Sequence, residues 1–166
     1  MAEARGLRGL RNPAVIAAFG GWNDAGEAAS GVIDHLVDHY KADLEFAIDP
    51  EDFYDFQVNR PTSRLVDGIR TIEWPTTEVL VAHLPERDLV LIGGPEPNFH
   101  WQDYVSRLLS MLRSVQPEVV VLLGALLTDA PHSRPVPVSG TASSQGLADE
   151  LGLERRRFVG GGGDRR

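Results

Sequence analysis

The sequence contains no cysteine among its 166 residues. Within these residues, that absence excludes a disulfide framework, a catalytic thiol and a thiolate-bound metal. Positive charge is also scarce, since 16 Lys and Arg stand against 24 Asp and Glu, giving a formal net charge of -8. General binding to DNA or RNA needs a surplus of positive charge to neutralise phosphates. The charge balance therefore argues against a nucleic-acid-binding protein.

Long apolar runs are missing as well. The longest, residues 119–127, is far shorter than the roughly 20 residues of a membrane-spanning helix. Residues 14–19 follow several arginines and loosely mimic a secretory signal, but the run is too short and no credible cleavage site follows it. We therefore predict a cytoplasmic protein that makes no membrane contact, and we interpret residues 14–19 as a buried strand.

The composition and the spacing of apolar residues together indicate a globular α/β protein. The chain is 42% hydrophobic and 24% charged, which is typical of an ordinary folded domain. Short apolar runs alternate with segments whose apolar residues recur at helical spacing. The pattern predicts strands over residues 15–19, 44–48, 89–92 and 119–123, and helices over 25–40, 99–115 and 145–151. Such an alternation predicts a three-layer α/β/α fold with a mostly parallel sheet.

Several finer features of this fold are also predicted. Residues 119–123 form the most apolar run, which is typical of a central strand buried on both faces. The strand-like runs 69–74 and 79–84 predict a hairpin insertion. For the organisation of the chain, the pattern predicts an arm over residues 1–11, a single α/β domain over 12–154 and a disordered tail over 155–166.

The helix over residues 99–115 carries further expectations. Asn98 precedes it and is predicted to be its N-cap. Its predicted inner face consists of apolar and aromatic residues at helical spacing, namely Trp101, Tyr104, Val105, Leu108, Leu109 and Leu112. The aromatic segment 53–56, interleaved with acids, is interpreted as a contact surface.

The turn over residues 20–26 connects the first strand to the first helix and carries polar side chains. Asp24 is placed to cap the helix, with Glu27 three residues on to complete a capping box. The same turn places Trp22, Asn23 and Asp24 beyond the carboxyl end of a strand, where ligands bind in open α/β sheets. The sequence leaves both interpretations open, a structural cap or the mouth of a ligand pocket.

Other polar residues follow strands in the same way. If the two strand–helix–strand units join one sheet, Glu96 and Asp24 share a rim and form a carboxylate pair suited to acid–base or metal chemistry. His132 and Arg134, in a proline-rich loop, suit an anionic ligand, although Arg134 is equally suited to tying down its own loop. The candidate ligand-binding residues are Trp22, Asn23, Asp24, Glu96, His132, Arg134 and Thr141.

No recognised catalytic motif is present. The glycine spacing in residues 20–26 meets neither nucleotide-binding fingerprint, and the sequence has no nucleophile elbow. His35 and His39 flank the apolar face of the first helix without an evident third ligand, which favours a solvated helix flank over a zinc site. We therefore assign no catalytic residue, no metal ligand and no cofactor.

Taken together, three segments in this order resemble the proteasome assembly chaperone-like family, in its bacterial branch. The match extends over about residues 12–154. The segments are Phe19–Ala29, then Asp88–Pro97 with Trp101, then Leu123–Val138 with Gly140–Ala142.

The resemblance implies a three-layer fold similar to nucleoside phosphorylases, and oligomers. Eukaryotic relatives help to assemble proteasome rings, whereas the bacterial branch offers no agreed catalytic set to carry over. Family members usually continue after the Thr-Ala-Ser segment with a glycine-rich stretch, a further strand and several helices. We therefore expect this chain to correspond to the N-terminal portion of a longer family domain.

Two functions remain open from the sequence. The first is a protein-interaction or assembly-chaperone-like role without catalysis, supported by the resemblance and by the missing catalytic motifs. The alternative is a small-molecule hydrolase- or phosphorylase-like enzyme, or a ligand-binding protein, that uses the strand-end rim. The expected partners are other proteins and further copies of the chain, with no nucleic acid and no membrane.

Overall fold

The structure, a computed structural model, describes residues 7–129 and 131–153. The predicted tail over 155–166 and the first six residues of the predicted arm lie outside this range. The chain divides into two compact units, Met1–Leu127 and Thr128–Arg166, and each is described by itself. The predicted boundaries of a single domain over 12–154 stay a prediction. No helix among the described residues has the length and apolar character needed to cross a bilayer.

The first unit contains seven strands and two α-helices among its described residues. They are β1 (Ala14–Gly20), α1 (Ala28–Tyr40), β2 (Asp43–Ala47), β3 (Thr62–Val66), β4 (Ile69–Glu73), β5 (Glu78–His83), β6 (Asp88–Pro95), α2 (Trp101–Val115) and β7 (Val119–Leu123). A short 3₁₀ turn, Ala25–Glu27, precedes α1. The second unit contributes α3 (Gln145–Glu150). The Ser144 hydroxyl caps this helix, because it accepts the Leu147 N–H at 3.2 Å.

The main sheet has five strands in the order β2-β5-β6-β1-β7. β1 pairs in parallel with β6 on one side and with β7 on the other. β5 pairs antiparallel with both β6 and β2. The α/β class is confirmed, and the parallel part of the sheet is confined to β6, β1 and β7.

The side chains of β1 show why two helices flank the sheet. Successive strand residues point to opposite faces, so Val15 and Ala17 face one way and Ala14 and Ala18 the other. The first pair belongs to a core cluster with Leu108, Leu112 and Val115 of α2. The second pair belongs to a cluster with Ala29 and Ile33 of α1. The predicted three-layer arrangement is therefore present.

The prediction that residues 119–123 form a central strand is wrong. Among the residues that the structure describes, β7 lies at the edge of the sheet, and Val120, Val121 and Leu122 are exposed. An uninterrupted apolar run is typical of a strand with neighbours on both sides, but the run itself does not show whether the second neighbour exists.

The predicted hairpin of residues 69–74 and 79–84 is also wrong. β4 pairs antiparallel with β3, and β5 enters the main sheet instead. The turn between β3 and β4 is Asp67-Gly68, and both residues have positive φ, 50° and 82°. Such a pair is the preferred two-residue hairpin connection, because its twist matches that of the strands.

Two predicted features of α2 differ from the structure. Asn98 does not cap α2; its side-chain oxygen accepts the Asp55 N–H at 2.8 Å and an Asn59 amide N–H at 2.7 Å. Trp101, Val105 and Leu109 are roughly half exposed, so only part of the predicted inner face is buried.

The aromatic segment 53–56 is not the contact surface that the sequence suggested. Phe53 is completely buried, and Tyr54 is nearly so. A chain of buried hydroxyls explains this position: the Tyr54 hydroxyl donates to the Pro95 carbonyl at 3.0 Å and lies 2.7 Å from the Thr77 hydroxyl, which is 2.6 Å from that of Tyr104. Burial raises the pKa of both tyrosines. The segment is therefore part of the core.

Asp88 ties the chain before β1 to the start of β6. Its carboxylate accepts the Arg11 backbone N–H at 2.7 Å and an Arg11 guanidinium N–H at 2.9 Å, and lies 2.9 Å from His83 Nδ1. Only 2% of Asp88 is exposed. Burial alone raises its pKa, but the bonds from Arg11 and His83 outweigh burial and lower it to about 2.

This contact predicts a specific loss of stability in acid. The folded-state pKa lies below the ordinary value of 3.8, so the stabilisation is present above about pH 4 and is lost as the pH falls towards about 2. A lowering of this size corresponds to about 2 kcal/mol. We expect the difference in free energy of unfolding between the wild type and Asp88→Asn to shrink over that interval, as urea titrations at several pH values measure. A stability difference that stays constant over this pH range would contradict the lowered pKa assigned to Asp88.

Candidate functional site: the strand-end rim

The parallel strands β6, β1 and β7 end at the same edge of the sheet, where their following loops meet. We call this surface the strand-end rim and define it as residues 20–24, 95–98 and 123–126. The Glu96 N–H donates to the Gly20 carbonyl at 2.8 Å. The Ala25 N–H donates to the Ala125 carbonyl at 3.0 Å, and the Ala125 N–H donates to the Asn23 carbonyl at 2.9 Å. Backbone hydrogen bonds therefore lock the three loops together.

Asp24 is buried at the start of α1. One carboxylate oxygen accepts the backbone N–H groups of Ala29 and Ser30 at 2.7 and 3.2 Å, and the other accepts the Ser30 hydroxyl at 2.5 Å. Burial raises the pKa of Asp24, but these hydrogen bonds outweigh it and hold the pKa below its usual value. Asp24 therefore acts as a helix cap, as one interpretation of the sequence predicted. The predicted capping-box partner, Glu27, makes no side-chain bond at the helix start.

The neighbouring rim side chains pack against glycines. Gly124 faces Asn23 so closely that a Cβ there would overlap the Asn23 side chain. Gly21 faces Glu96, with the glutamate Oε2 only 3.1 Å from where a Cβ would lie. Asp24 and Glu96 thus share the rim, as predicted for strands of one sheet. Asp24 is already bonded to α1, which leaves it poorly suited to acid–base work.

Trp22 differs from its neighbours because it projects from the rim with 83% of its surface exposed. The turn around it is fixed, since the Asp24 N–H donates to the Gly21 carbonyl at 3.3 Å and the Asn23 carbonyl is bonded to the loop after β7. A large aromatic side chain on a rigid turn is typical of an anchor in a protein–protein interface.

The remaining candidates, His132, Arg134 and Thr141, lie in the second unit and are exposed. The Arg134 N–H donates to the Pro131 carbonyl at 3.0 Å, which closes a turn around His132. Because each unit is described by itself, the predicted convergence of these three residues with Trp22, Asn23, Asp24 and Glu96 stays a prediction.

A small cavity lies beside the rim, between α1 and the strands β5 and β6. Its volume is about 230 Å³, and its lining includes Ser30, Asp34, Thr76 and Glu78. Small-molecule sites usually measure about 300–1,000 Å³. Neither Asp24 nor Glu96 lines the cavity. No sequence motif indicates this cavity, because its walls come from three elements that are distant in the chain.

Comparisons with known proteins agree with this fold. The family model described as the PAC2 family matches residues 18–163. A PAC2 family protein from Streptomyces avermitilis shares 48% identity with a TM-score of 0.81. A proteasome-assembly chaperone homologue from Mycobacterium tuberculosis shares 45% identity with a TM-score of 0.76. Both comparisons cover 89% of this chain and 64% of the relative.

A protein of unknown function from Corynebacterium glutamicum has the same fold at 20% identity, with a TM-score of 0.67 over 86% of this chain and 63% of that one. No functionally curated protein matches the sequence. This chain spans slightly less than two thirds of the length of these solved relatives. The family match and the identities near one half show that the chain belongs to the PAC2 family.

Proposed function

We propose that this chain is a protein-binding, assembly-chaperone-like protein of the cytoplasm, and that the strand-end rim contacts its partner. The observation that carries the proposal is Trp22, exposed on a turn that backbone hydrogen bonds hold in place. An exposed aromatic side chain on a rigid support loses little entropy on binding and contributes strongly to affinity.

The environment of the polar side chains in the rim favours a protein-binding role over a catalytic role. Asp24 is bonded to the start of α1, and Asn23 and Glu96 pack against glycines. The adjoining cavity is smaller than most ligand pockets and excludes both rim carboxylates. The enzyme alternative would need these side chains to converge on a substrate, with His132 and Arg134 joining them.

The choice of partner follows from the relatives. The Mycobacterium tuberculosis protein with 45% identity is described as a homologue of a proteasome-assembly chaperone. We therefore propose a proteasome-type subunit as the bound protein, held at the rim before ring assembly. Self-association is proposed as well.

The proposal is tested by calorimetric titration of this chain with purified, unassembled proteasome α-subunits of Mycobacterium tuberculosis. We expect saturable binding that Trp22→Ala weakens by at least about 30-fold, because a central aromatic anchor typically contributes 2 kcal/mol or more. The matched control is Trp74→Ala, which truncates a half-exposed tryptophan outside the rim and should leave the affinity unchanged. Equal affinity for the wild type and Trp22→Ala would contradict the assignment of the strand-end rim as the contact surface.

A further inference from the structure

The cavity between α1 and the strands β5 and β6 has a carboxylate on each of two walls. Asp34 of α1 lines one wall, and Glu78 of β5 lines the other. Among the described residues, neither carboxylate has a hydrogen-bond or ion-pair partner, and no lysine, arginine or histidine lines the cavity. Two negative charges without a counter-charge therefore border one space of about 230 Å³.

The two hydroxyl groups that line the same cavity are available only as acceptors. The Ser30 hydroxyl donates its proton to the Asp24 carboxylate at 2.5 Å. The Thr76 hydroxyl donates its proton to the Ile48 carbonyl. Each hydroxyl oxygen keeps a lone pair that can accept a further hydrogen bond. The side chains around the cavity thus offer four accepting groups and no free donor, which is the complement of a cation that carries several N–H groups.

The cavity changes from polar to apolar along α1. Ser30 lies in the first turn of the helix, beside the rim, and Val37 lies seven residues later, about 10 Å along the axis. Glu78 pairs with Gly93 near the end of β6, and Leu80 lies two residues further from that end. The polar end of the cavity therefore adjoins the rim, and the apolar end lies away from it. We call this cavity the acidic groove and define it by Ser30, Asp34, Val37, Thr76, Glu78 and Leu80.

We propose that the acidic groove binds a lysine side chain of the protein that the strand-end rim contacts. The ammonium group lies between Asp34 and Glu78, and the methylene groups pack on Val37 and Leu80. This assignment rests on the proposed function for the source of the lysine, since the groove adjoins the rim where Ser30 bonds to Asp24.

The distribution of the acceptors and the size of the groove favour lysine over other occupants. An ammonium group directs three donors to different sides, whereas a guanidinium group holds its donors in one plane that matches a single carboxylate. In the groove the acceptors are divided between two walls. The volume is smaller than the roughly 300–1,000 Å³ of sites for free ligands, which suits one side chain delivered by a larger partner. The net charge of -8 also attracts a partner with a basic surface.

The ammonium site is tested with n-butylammonium chloride, which reproduces the end of a lysine side chain, in an NMR titration of the isotope-labelled whole chain. We expect a Kd of about 1–10 mM, as for a ligand of five heavy atoms, with shifts of amides in residues 30–37, 76–80 and 93–94. Tetramethylammonium chloride at the same ionic strength carries the charge without N–H donors and should leave these amides unshifted. Calcium chloride that shifts them at lower concentrations than butylammonium would overturn the proposal and assign the groove to a divalent cation.

A double variant, Asp34→Asn with Glu78→Gln, tests the two carboxylates. Both side chains are exposed, so the amides should leave the fold intact, as the same NMR spectra show. We expect butylammonium to bind at least about tenfold more weakly, because two charge-assisted contacts are lost. The matched control is Glu86→Gln with Glu118→Gln, which removes the same charge from exposed positions before β6 and β7, at the opposite end of the sheet. Equal weakening by the two double variants would reduce the effect to net charge and overturn the groove.

Calorimetric titration with the same unassembled proteasome α-subunits tests the source of the lysine. The groove double variant should bind the subunit at least about tenfold more weakly than the wild type, and the control double variant should not. Unchanged affinity of the groove variant, together with weaker binding by Trp22→Ala, would overturn the groove and leave the rim assignment standing. Absence of binding by the wild type would overturn the proposed function and the protein source, whereas the butylammonium titration decides the ammonium site by itself.

Discussion

Asp88→Asn should lower the free energy of unfolding at pH 7 by about 2–3 kcal/mol. The buried carboxylate accepts hydrogen bonds from a charged guanidinium and from a backbone N–H, and the substitution leaves one of these donors without an acceptor. The carboxylate accepts from the Arg11 backbone N–H and guanidinium at 2.7 and 2.9 Å. An asparagine amide offers one acceptor oxygen, so its NH₂ group must face one of these donors. Urea unfolding followed by circular dichroism measures the change.

The control for Asp88→Asn is Glu118→Gln, which makes the same chemical change in an exposed ion pair. Glu118 lies 3.3 Å from Arg87, and about half of its side chain is exposed. Exposed pairs contribute little, so we expect a loss of less than about 0.5 kcal/mol. Equal losses for the two variants would mean that Asp88 does not hold the chain before β1 in the way the geometry indicates.

Asp24→Ala is expected to cost about 2–3 kcal/mol, because it removes three hydrogen bonds at the buried start of α1. Ser30→Ala removes only the hydroxyl bond and should cost about 1 kcal/mol. The ordering of the two losses, measured by urea unfolding, identifies Asp24 as a cap. An Asp24→Ala protein as stable as the wild type would contradict the cap assignment and would leave Asp24 available for ligand binding.

Part of the fold could be predicted because local patterns determine it. The helical spacing of apolar residues located α1 and α2, and Asp24 before an apolar helix indicated a cap. The position of β7 could not be predicted in this way, since its neighbours are set by the topology of the whole sheet. The pairing of β3 with β4 was predictable from Asp67-Gly68, because this dipeptide between two strand-like runs is a preferred two-residue hairpin turn.

The candidate site was predictable to a similar degree. Strand ends followed by glycine turns located the rim, and the shared position of Asp24 and Glu96 followed from a common sheet. Long-range contacts determine which rim side chains are available to bind a ligand or partner, and such contacts have no sequence motif. Examples are Asn23 against Gly124 and Glu96 against Gly21. For the same reason, the hydrogen bonds between Asp88 and Arg11, which lie 77 residues apart in the chain, could not be predicted from the sequence.

Hydrogen–deuterium exchange of this chain, alone and with the unassembled proteasome α-subunit, tests most directly whether the strand-end rim binds a protein. We expect slower exchange on binding in peptides that cover residues 20–27 and 95–98, around Trp22. The exposed hairpin of β3 and β4 serves as an internal control and should exchange at an unchanged rate. Binding that leaves the exchange of residues 20–27 unaltered would contradict the assignment of the rim as the contact surface.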